Sequence, residues 1–286
     1  MTPIPNIVHF IFGLRPQQEP FHLLHYLAIE SCRNILRPQK IYLYFHHLPF
    51  GVLWDEIRPH LELVHVDLVP VVSRAVYDPG QVPEAYRYAH HADFIRLDAL
   101  IEHGGIYADI DTLFLRPLPE ALFDERFVIG REQDLRDEAT GTLKPSLGNA
   151  FLMSQPGAAF AVRWREEMAS AMNGSWSQHS TVLPQALSQE MPGEVHVEPV
   201  ESFYGVPYTP AGLAALLEDG PLDVEKSYSL HLWEHLWWSA DRNDHSTRNA
   251  GDFGLSAIRD STSPLAELAR PFLPDLDIDD YRSVVP

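Results

Sequence analysis

Strand-like and helix-like segments alternate at the start of the chain, and this alternation constrains the fold more than any other feature. Residues 4–12 are an apolar run of the kind that forms a buried strand, and residues 40–45 and 61–66 are predicted as the second and third strands. Between the first two predicted strands, residues 21–36 carry apolar side chains at helical spacing and end before Pro38. Strand, helix and strand at this spacing predict an α/β fold with a mostly parallel central sheet.

The clearest helix in the sequence covers residues 83–103. A proline lies in its first turn, and Gly104 and Gly105 end it directly before a short apolar strand at residues 106–108. The other predicted elements are a loop at 71–82, strands at 127–130 and 149–153, a charged loop at 131–146, helices at 157–172 and 181–190, and a loop-rich stretch after residue 193. We expect one main domain over residues 1–250 and a C-terminal extension over residues 251–286 that packs on it or trails from it.

Composition excludes several classes of partner. The net charge of −19 argues against binding to nucleic acid or to an anionic membrane surface. Cys32 is the only cysteine, so no disulfide can form within the chain, and this fits a reducing compartment. The N-terminus lacks the features of a signal peptide, and no apolar run approaches the roughly 20 residues of a membrane span. We therefore expect a soluble, cytoplasmic protein without a transmembrane segment, and leave peripheral attachment to a membrane open.

Two carboxylates, Asp109 and Asp111, stand one residue apart directly after the strand at residues 106–108. Two like charges at a strand end are destabilising unless a cation offsets their repulsion. Hard oxygen ligands suit Mg²⁺ or Mn²⁺, and such an ion can bridge the oxygens of a diphosphate. An ordinary acidic turn is the alternative interpretation of the same two residues.

Asp93 and Arg96 lie three residues apart on the preceding helix and therefore share one face of it. A surface ion pair is the alternative interpretation, and such pairs contribute little to stability. The helix leads through two glycines into the strand before Asp109, so both pairs of residues are expected at one end of the sheet. Open α/β sheets bind ligands at the carboxyl ends of their strands.

The spacing of these residues resembles the signature of a known enzyme family. Ala92-Asp93-Phe94-Ile95-Arg96 is followed by Leu100, Gly104-Gly105-Ile106-Tyr107 and Asp109-Ile110-Asp111. This run is similar to the pattern of the glycosyltransferases with a DXD sugar-binding region. They include the yeast initiating α-1,6-mannosyltransferase, the α-1,4-glycosyltransferases and, more distantly, the large clostridial glucosylating toxins. The resemblance implies a GT-A-type, Rossmann-like nucleotide-sugar-binding domain, a Mn²⁺ or Mg²⁺ ion, and retention of anomeric configuration.

Weaker matches extend the resemblance along the chain. The first strand is similar to the family's opening strand, which implies that Phe10 and Phe12 line a nucleobase pocket. Core packing is the alternative for at least one of them. Asn149 matches an asparagine that lies near the sugar in relatives, with a turn asparagine as the alternative. Tyr107 belongs to the glycine-glycine-x-tyrosine element and is assigned to the donor site with it.

The late segment His231-Leu232-Trp233-Glu234-His235-Leu236-Trp237 resembles the family's His-x-Trp-x-x-Ser-Trp, with leucine in place of the serine. The resemblance implies that His231 completes the metal or diphosphate site, with His235 as the second choice and a core or surface histidine as the alternative. The Gly-Pro element of many relatives is missing. His179-Ser180-Thr181 and Pro184 stand near its expected place.

The resemblance also implies roles for these residues. Asp111 and His231 would ligate the metal, and Asp109 would contact the ribose or the metal. Asp93 would accept hydrogen bonds from sugar hydroxyls, and Arg96 would bind the sugar or orient Asp93. No dedicated nucleophile stands out, so we expect a front-face attack in which the leaving phosphate helps to deprotonate the acceptor. We expect a UDP-sugar donor rather than a GDP-sugar. The acceptor is open: a glycan, a lipid-linked sugar, a protein side chain or a small molecule.

Two alternative functions are left open by the sequence. A phosphotransferase of the haloacid dehalogenase type carries Asp-x-Asp-x-Thr, but Leu113 occupies the position of its threonine and Thr112 comes one residue early. A non-catalytic nucleotide-sugar-binding protein of the same fold would keep the same pocket without turnover.

Overall fold

The computed structural model describes residues 2–68, 87–136, 141–173, 177–218, 220–234 and 254–276. The strands are β1 (Ile7–Ile11), β2 (Lys40–Phe45), β3 (Glu62–His65), β4 (Gly105–Ala108), β5 (Thr112–Phe114), β6 (Phe127–Arg131), β7 (Leu135–Arg136), β8 (Leu143–Lys144), β9 (Leu147–Ser154), β10 (His196–Glu198) and β11 (Ser229–His231). The helices are α1 (Leu23–Ile35), α2 (Val52–Ile57), α3 (Arg87–His103), α4 (Glu120–Phe123), α5 (Ala159–Ala171), α6 (Leu183–Glu190), α7 (Val200–Tyr204), α8 (Pro210–Leu217), α9 (Leu255–Asp260) and α10 (Pro264–Ala269). The loop predicted at 71–82, the first residues of the helix predicted at 83–103, and His235 lie outside the described residues.

The central sheet has seven strands in the order β10-β6-β9-β4-β1-β2-β3. β1 pairs in parallel with β2 and β4, β2 pairs in parallel with β3, and β6 pairs in parallel with β10. β9 is antiparallel to both of its neighbours, β4 and β6. The prediction of an α/β fold with a mostly parallel sheet is confirmed. The carboxyl ends of β1, β2 and β4 therefore open at the same edge of the sheet.

An apolar core covers each face of the sheet, because successive side chains of a strand point to opposite faces. In β4, Ile106 and Ala108 belong to the core beneath α1 and α2, whereas Tyr107 belongs to the core beneath α3 and α5. All four residues of β4 are buried. A central strand covered on both faces has this pattern, which explains why the sequence shows a short continuous apolar run there.

Two stretches, one predicted as a loop and one as loop-rich, contain more regular structure than expected. Residues 131–146 hold the antiparallel ribbon of β7 and β8. The stretch after residue 193 holds β10, β11 and the helices α7 to α10. Thr209 and Ser263 cap α8 and α10, each directly before a proline, and their side chains accept hydrogen bonds from backbone amides of the first turn. Such caps stabilise helices that are too short to show a clear apolar period.

The described part of the C-terminal segment packs into the same core as α1. Leu255, Ile258, Leu265 and Ala266 are buried in that core, and α10 lies against α8. The boundary predicted at residue 250 falls outside the described residues. Among the helices of the described ranges, none is both long enough and apolar enough to cross a membrane.

Candidate functional site

A cavity of about 720 Å³ opens at the carboxyl ends of β1 and β4. The residues that directly follow each of these strands form part of its wall. This is the edge at which open α/β sheets bind their ligands. The predicted site residues that line the cavity are Phe12, Asp93, Arg96, Tyr107, Asp109, Asp111, Asn149 and His231.

The turn between β4 and β5 brings Asp109 and Asp111 to the cavity wall. The amide of Thr112 donates a hydrogen bond of 3.0 Å to the carbonyl of Asp109, and β5 then pairs with β11. This pairing places His231 opposite Thr112 in the register. Nε2 of His231 lies 3.1 Å from Oδ1 of Asp111 and 3.7 Å from Oδ2 of Asp109. The structure therefore brings together the three residues that the sequence assigned to a metal.

The charges of this cluster favour a bound cation. Burial lowers the pKa of His231, but the carboxylates of Asp111, Asp109 and Glu132 outweigh burial and raise that pKa above its usual value. A raised pKa means that the imidazole of His231 lies in a negative electrostatic potential. One ligand atom from each of the three residues lies within 4.8 Å of the other two. Two carboxylates and one imidazole at these distances fit a divalent cation that prefers oxygen ligands, such as Mn²⁺ or Mg²⁺.

Asp93 and Arg96 form a buried ion pair rather than a surface one. Nη2 of Arg96 lies 3.0 Å from Oδ1 of Asp93, and the two side chains are only 6% and 7% exposed. The same guanidinium lies 3.5 Å from Oδ1 of Asp109 and donates a hydrogen bond of 2.6 Å to the carbonyl of Asn149. It also lies over the ring of Tyr107, whose hydroxyl donates a hydrogen bond of 2.5 Å to Asp109. Arg96 thus connects the two pairs of residues that were predicted to converge.

The two phenylalanines of the opening segment have different surroundings. Phe10 is fully buried in the core, edge-on to Phe114, and does not line the cavity. Phe12 lines the cavity and packs against Phe21 and His25. Both side chains point to the same face of the sheet, but Phe10 lies within β1 and Phe12 lies one residue beyond its end. Only Phe12 therefore remains a candidate for the nucleobase pocket.

Three residues at the site were given no role by the sequence. Glu132 follows β6 and lines the cavity, where burial raises the pKa of its carboxyl to about 7. The carboxylate of Glu234 lies 2.6 Å from Nε2 of His25. His179 is fully buried, and its Nε2 lies 2.8 Å from Oδ2 of Asp93. Pairing and packing between distant segments bring all three to the site, so no local spacing marks them.

Several solved glycosyltransferase structures follow a similar chain path at low sequence identity. The galactosyltransferase LgtC has a TM-score of 0.47 and 14% identity, covering 94% of this chain and 98% of that one. The glycosyltransferase GlyE of Streptococcus pneumoniae TIGR4 has a TM-score of 0.47 and 13% identity, covering 94% of this chain and 60% of that one. The PaToxG glycosyltransferase has a TM-score of 0.46 and 17% identity, covering 67% of this chain and 71% of that one.

Sequence comparison is more specific than the structural similarity. Residues 27–128 match the family model described as the glycosyltransferase sugar-binding region containing the DXD motif. Glucan organizing enzyme 1 of Cryptococcus neoformans var. grubii is 31% identical over an alignment of 295 positions that covers 98% of this chain and 73% of that protein. The matched region includes the buried Asp93–Arg96 pair and the Asp109–Asp111 turn. This chain therefore belongs to the glycosyltransferases that carry a DXD sugar-binding region.

Proposed function

We propose that this glycosyltransferase uses Mn²⁺ or Mg²⁺, takes its sugar from a UDP-sugar, and retains the anomeric configuration. The observation that carries the proposal is the cluster of Asp109, Asp111 and His231, whose ligand atoms lie within 4.8 Å of one another on the cavity wall. A chain with a net charge of −19 repels a free diphosphate. A divalent cation in this cluster would reverse that repulsion locally.

Hydrogen bonds within the protein hold both carboxylates of the proposed metal site. The hydroxyl of Tyr107 donates to Oδ1 of Asp109 at 2.5 Å, and a backbone amide donates to Oδ2 of Asp111 at 2.8 Å. Each carboxylate therefore has one oxygen fixed by the protein. When bound by Asp109, Asp111 and His231, the ion would neutralise the charge that develops on the departing diphosphate.

The neighbouring residues support a role in donor binding. Asn149 donates a hydrogen bond of 2.8 Å to Oδ1 of Asp93, and Arg96 neutralises the buried charge of that carboxylate. These three side chains form the proposed sugar-binding part of the cavity. The rings of Phe12 and His25, whose centres are 4.6 Å apart, would give an aromatic wall for a planar base.

The state of Asp93 favours front-face attack over a route through a covalent sugar adduct on this residue. Both of its carboxylate oxygens are engaged by protein donors, and burial, which raises its pKa, is outweighed by Arg96 and His179, so the pKa lies below the usual value. A carboxylate held in this way is a poor nucleophile. In the proposed step, the acceptor oxygen bonds to the anomeric carbon on the face that the diphosphate leaves. The acceptor proton passes to the departing phosphate oxygen.

Turnover of a donor panel tests the proposed function. Purified protein is mixed with UDP-sugars and GDP-sugars, each with Mn²⁺ or with EDTA, and nucleotide release is measured. We expect release from a UDP-sugar that stops in EDTA, and a product whose anomeric configuration by NMR matches that of the donor. Release from GDP-sugars only would contradict the donor assignment, and an inverted product would contradict retention. A covalent sugar adduct on Asp93 or Glu132, seen by intact mass, would contradict front-face attack.

The non-catalytic alternative has its own outcome in the same experiment. A protein that binds a nucleotide sugar without turnover would show a binding signal with no nucleotide release from any donor. The phosphotransferase alternative is dropped, because the chain belongs to the glycosyltransferase family.

Cellular location and domain extent are also parts of the proposal. The free, buried Cys32 supports a location in the cytoplasm, and cell fractionation tests that location.

We retain residues 1–250 as the catalytic unit, but Leu255 and Leu265 fill part of its core. Truncation after residue 250 is therefore expected to lower the melting temperature of the protein.

A further inference from the structure

The carboxylate of Asp93 is contacted by side chains from three parts of the fold: its own helix, β9 and the turn before α6. Oδ1 is contacted by Arg96 from the same helix, at 3.0 Å, and by Nδ2 of Asn149 from β9, at 2.8 Å. Oδ2 lies 2.8 Å from Nε2 of His179, which comes from the turn before α6. The contacts to Oδ1 come from residues that the sequence assigned to the donor site. The contact to Oδ2 comes from the segment that stands near the place of the missing Gly-Pro element.

The backbone conformation and the packing around His179 restrain the position of its side chain. The residue belongs to a π-helical turn, Gln178–Val182, and its side chain is fully buried. Its carbonyl accepts a hydrogen bond of 2.9 Å from Nε1 of Trp164, and its ring packs edge-on against His90 at 4.6 Å. Isolated π-helical turns are rare and occur often at functional sites. The turn therefore aims the imidazole at Asp93.

His179 restrains the carboxylate of Asp93 from the side of Oδ2. Rotation about the last torsion of an aspartate has a broad, roughly two-fold profile, so the torsion itself does not fix the carboxylate plane. Arg96 and Asn149 restrain Oδ1 and His179 restrains Oδ2, so contacts at both oxygens together fix the plane of the carboxylate. Asp93 lines the cavity, so the plane of its carboxylate sets the direction from which a sugar hydroxyl can donate to it.

We propose that His179 is a positioning residue for the donor sugar, which fixes the carboxylate plane of Asp93 so that it accepts hydrogen bonds from sugar hydroxyls in the cavity. This inference rests on the proposed function. Asp93 is ionised at neutral pH, because Arg96 and His179 outweigh burial and keep its pKa low. An ionised carboxylate only accepts hydrogen bonds, so its partners in the donor are hydroxyl groups.

Paired binding measurements on three variants test this inference. Dissociation constants are measured with Mn²⁺ for UDP alone and for the UDP-sugar that the unchanged protein binds most tightly in a panel. His179→Leu is expected to weaken binding of the UDP-sugar by about tenfold or more, since it removes a buried hydrogen bond to a charged group. Its binding of UDP is expected to be unchanged. His179→Gln still carries an N–H at nearly the same reach and is expected to restore most of the lost affinity.

His9→Gln is the matched control for loss of a buried histidine. His9 is also fully buried and hydrogen-bonded through both ring nitrogens, but it does not line the cavity. We expect it to leave the difference in affinity between UDP-sugar and UDP unchanged. Circular dichroism confirms folding of each variant. If His179→Leu does not fold, His179→Asn replaces it, because asparagine keeps a polar group that is too short to reach Oδ2.

The outcomes separate this inference from the proposed function. A protein that binds neither UDP nor any UDP-sugar of the panel overturns both. A folded His179→Leu variant that keeps the full preference for UDP-sugar overturns only the role of His179. Equal losses in His179→Leu and His179→Gln also overturn it, because they would show that ring volume matters and the hydrogen bond does not. In turnover assays the positioning role predicts a raised donor KM in His179→Leu and recovery in His179→Gln.

Discussion

The backbone amide of Glu234 donates a hydrogen bond of 2.8 Å to Oδ2 of Asp111. The amide of Leu232 donates to the carbonyl of Asp111 at 3.0 Å, so two backbone groups join the late segment to the turn that carries both aspartates. Between them, Trp233 has a φ of 56°, a left-handed conformation that residues other than glycine seldom adopt. The segment that directly follows His231 is therefore held against Asp111 by two backbone amides.

Replacement of His231 by glutamine tests its assignment as a metal ligand. The variant is expected to lower the affinity for Mn²⁺ in the presence of UDP by about tenfold or more, because the imidazole ligand is replaced by a weaker, neutral amide oxygen. Isothermal titration with Mn²⁺ measures the change. His196→Ala is the control, since His196 also pairs with a carboxylate, Glu198, but lies outside the cavity. Equal Mn²⁺ affinities in wild type and His231→Gln would remove His231 from the metal site.

Replacement of Arg96 by methionine tests whether it holds the two acidic groups together. Its loss leaves the buried charge of Asp93 with less compensation, and we expect a loss of about 3–5 kcal/mol in the free energy of unfolding. Urea unfolding measures it. Arg165→Met is the control, because Arg165 pairs with Asp98 at 2.6 Å, but that carboxylate is 45% exposed. This pair should contribute no more than about 1 kcal/mol, and similar losses in both variants would contradict the central position of Arg96.

Gly148 is required by the ring of Tyr204. A Cβ at residue 148 would lie 2.4 Å from Cζ and 2.6 Å from the hydroxyl oxygen of that tyrosine. We expect Gly148→Ala to lower the free energy of unfolding by about 1–3 kcal/mol, because the ring must move in a packed core. At Gly193 an added Cβ would meet nothing within 4 Å. Thermal unfolding of Gly148→Ala and Gly193→Ala compares the two sites, and equal melting temperatures would refute the steric argument.

His9 predicts a loss of stability in mild acid. Burial lowers its pKa from 6.5 to about 4, while in the unfolded chain it titrates near its ordinary value. Between these values the unfolded state binds more protons than the folded state. The stabilisation that depends on neutral His9 is therefore fully present above pH 6.5. As the pH falls towards 4, the free energy of unfolding decreases by about 3 kcal/mol in total because of this residue. Urea unfolding across this pH range should show a flatter dependence for His9→Gln, and an unchanged slope would contradict the prediction.

The sequence predicted the part of the site whose geometry is local. Asp93 and Arg96 share a helix face, and Asp109 and Asp111 follow a strand, so spacing alone placed them at one edge of the sheet. His231 depends on the pairing of β5 with β11, which only the family resemblance anticipated. Outside the site, the local sequence pattern also failed to predict the ribbon of β7 and β8. The ribbon of β7 and β8 is too short to show an alternating pattern.

The sequence could not predict the surroundings of residues that lie close to the end of a strand or the start of a helix. Phe10 and Phe12 have the same parity in the strand pattern, and only the observed end of β1 at Ile11 separates the core residue from the cavity residue. His179 reaches Asp93 because a π-helical turn precedes α6. No spacing rule predicts such a turn, because its register follows from packing against α5 and β9.

Thermal unfolding with UDP and with GDP, each with and without Mn²⁺, tests the central claim most directly. Ligand at about 100 times its Kd adds about 2.7 kcal/mol to the free energy of unfolding, which raises the melting temperature by several degrees. We predict a rise with UDP that requires Mn²⁺ and disappears in the Asp109→Ala/Asp111→Ala variant. No rise with either nucleotide, or an equal rise without Mn²⁺ and in the variant, would contradict a metal-dependent donor site at these two aspartates.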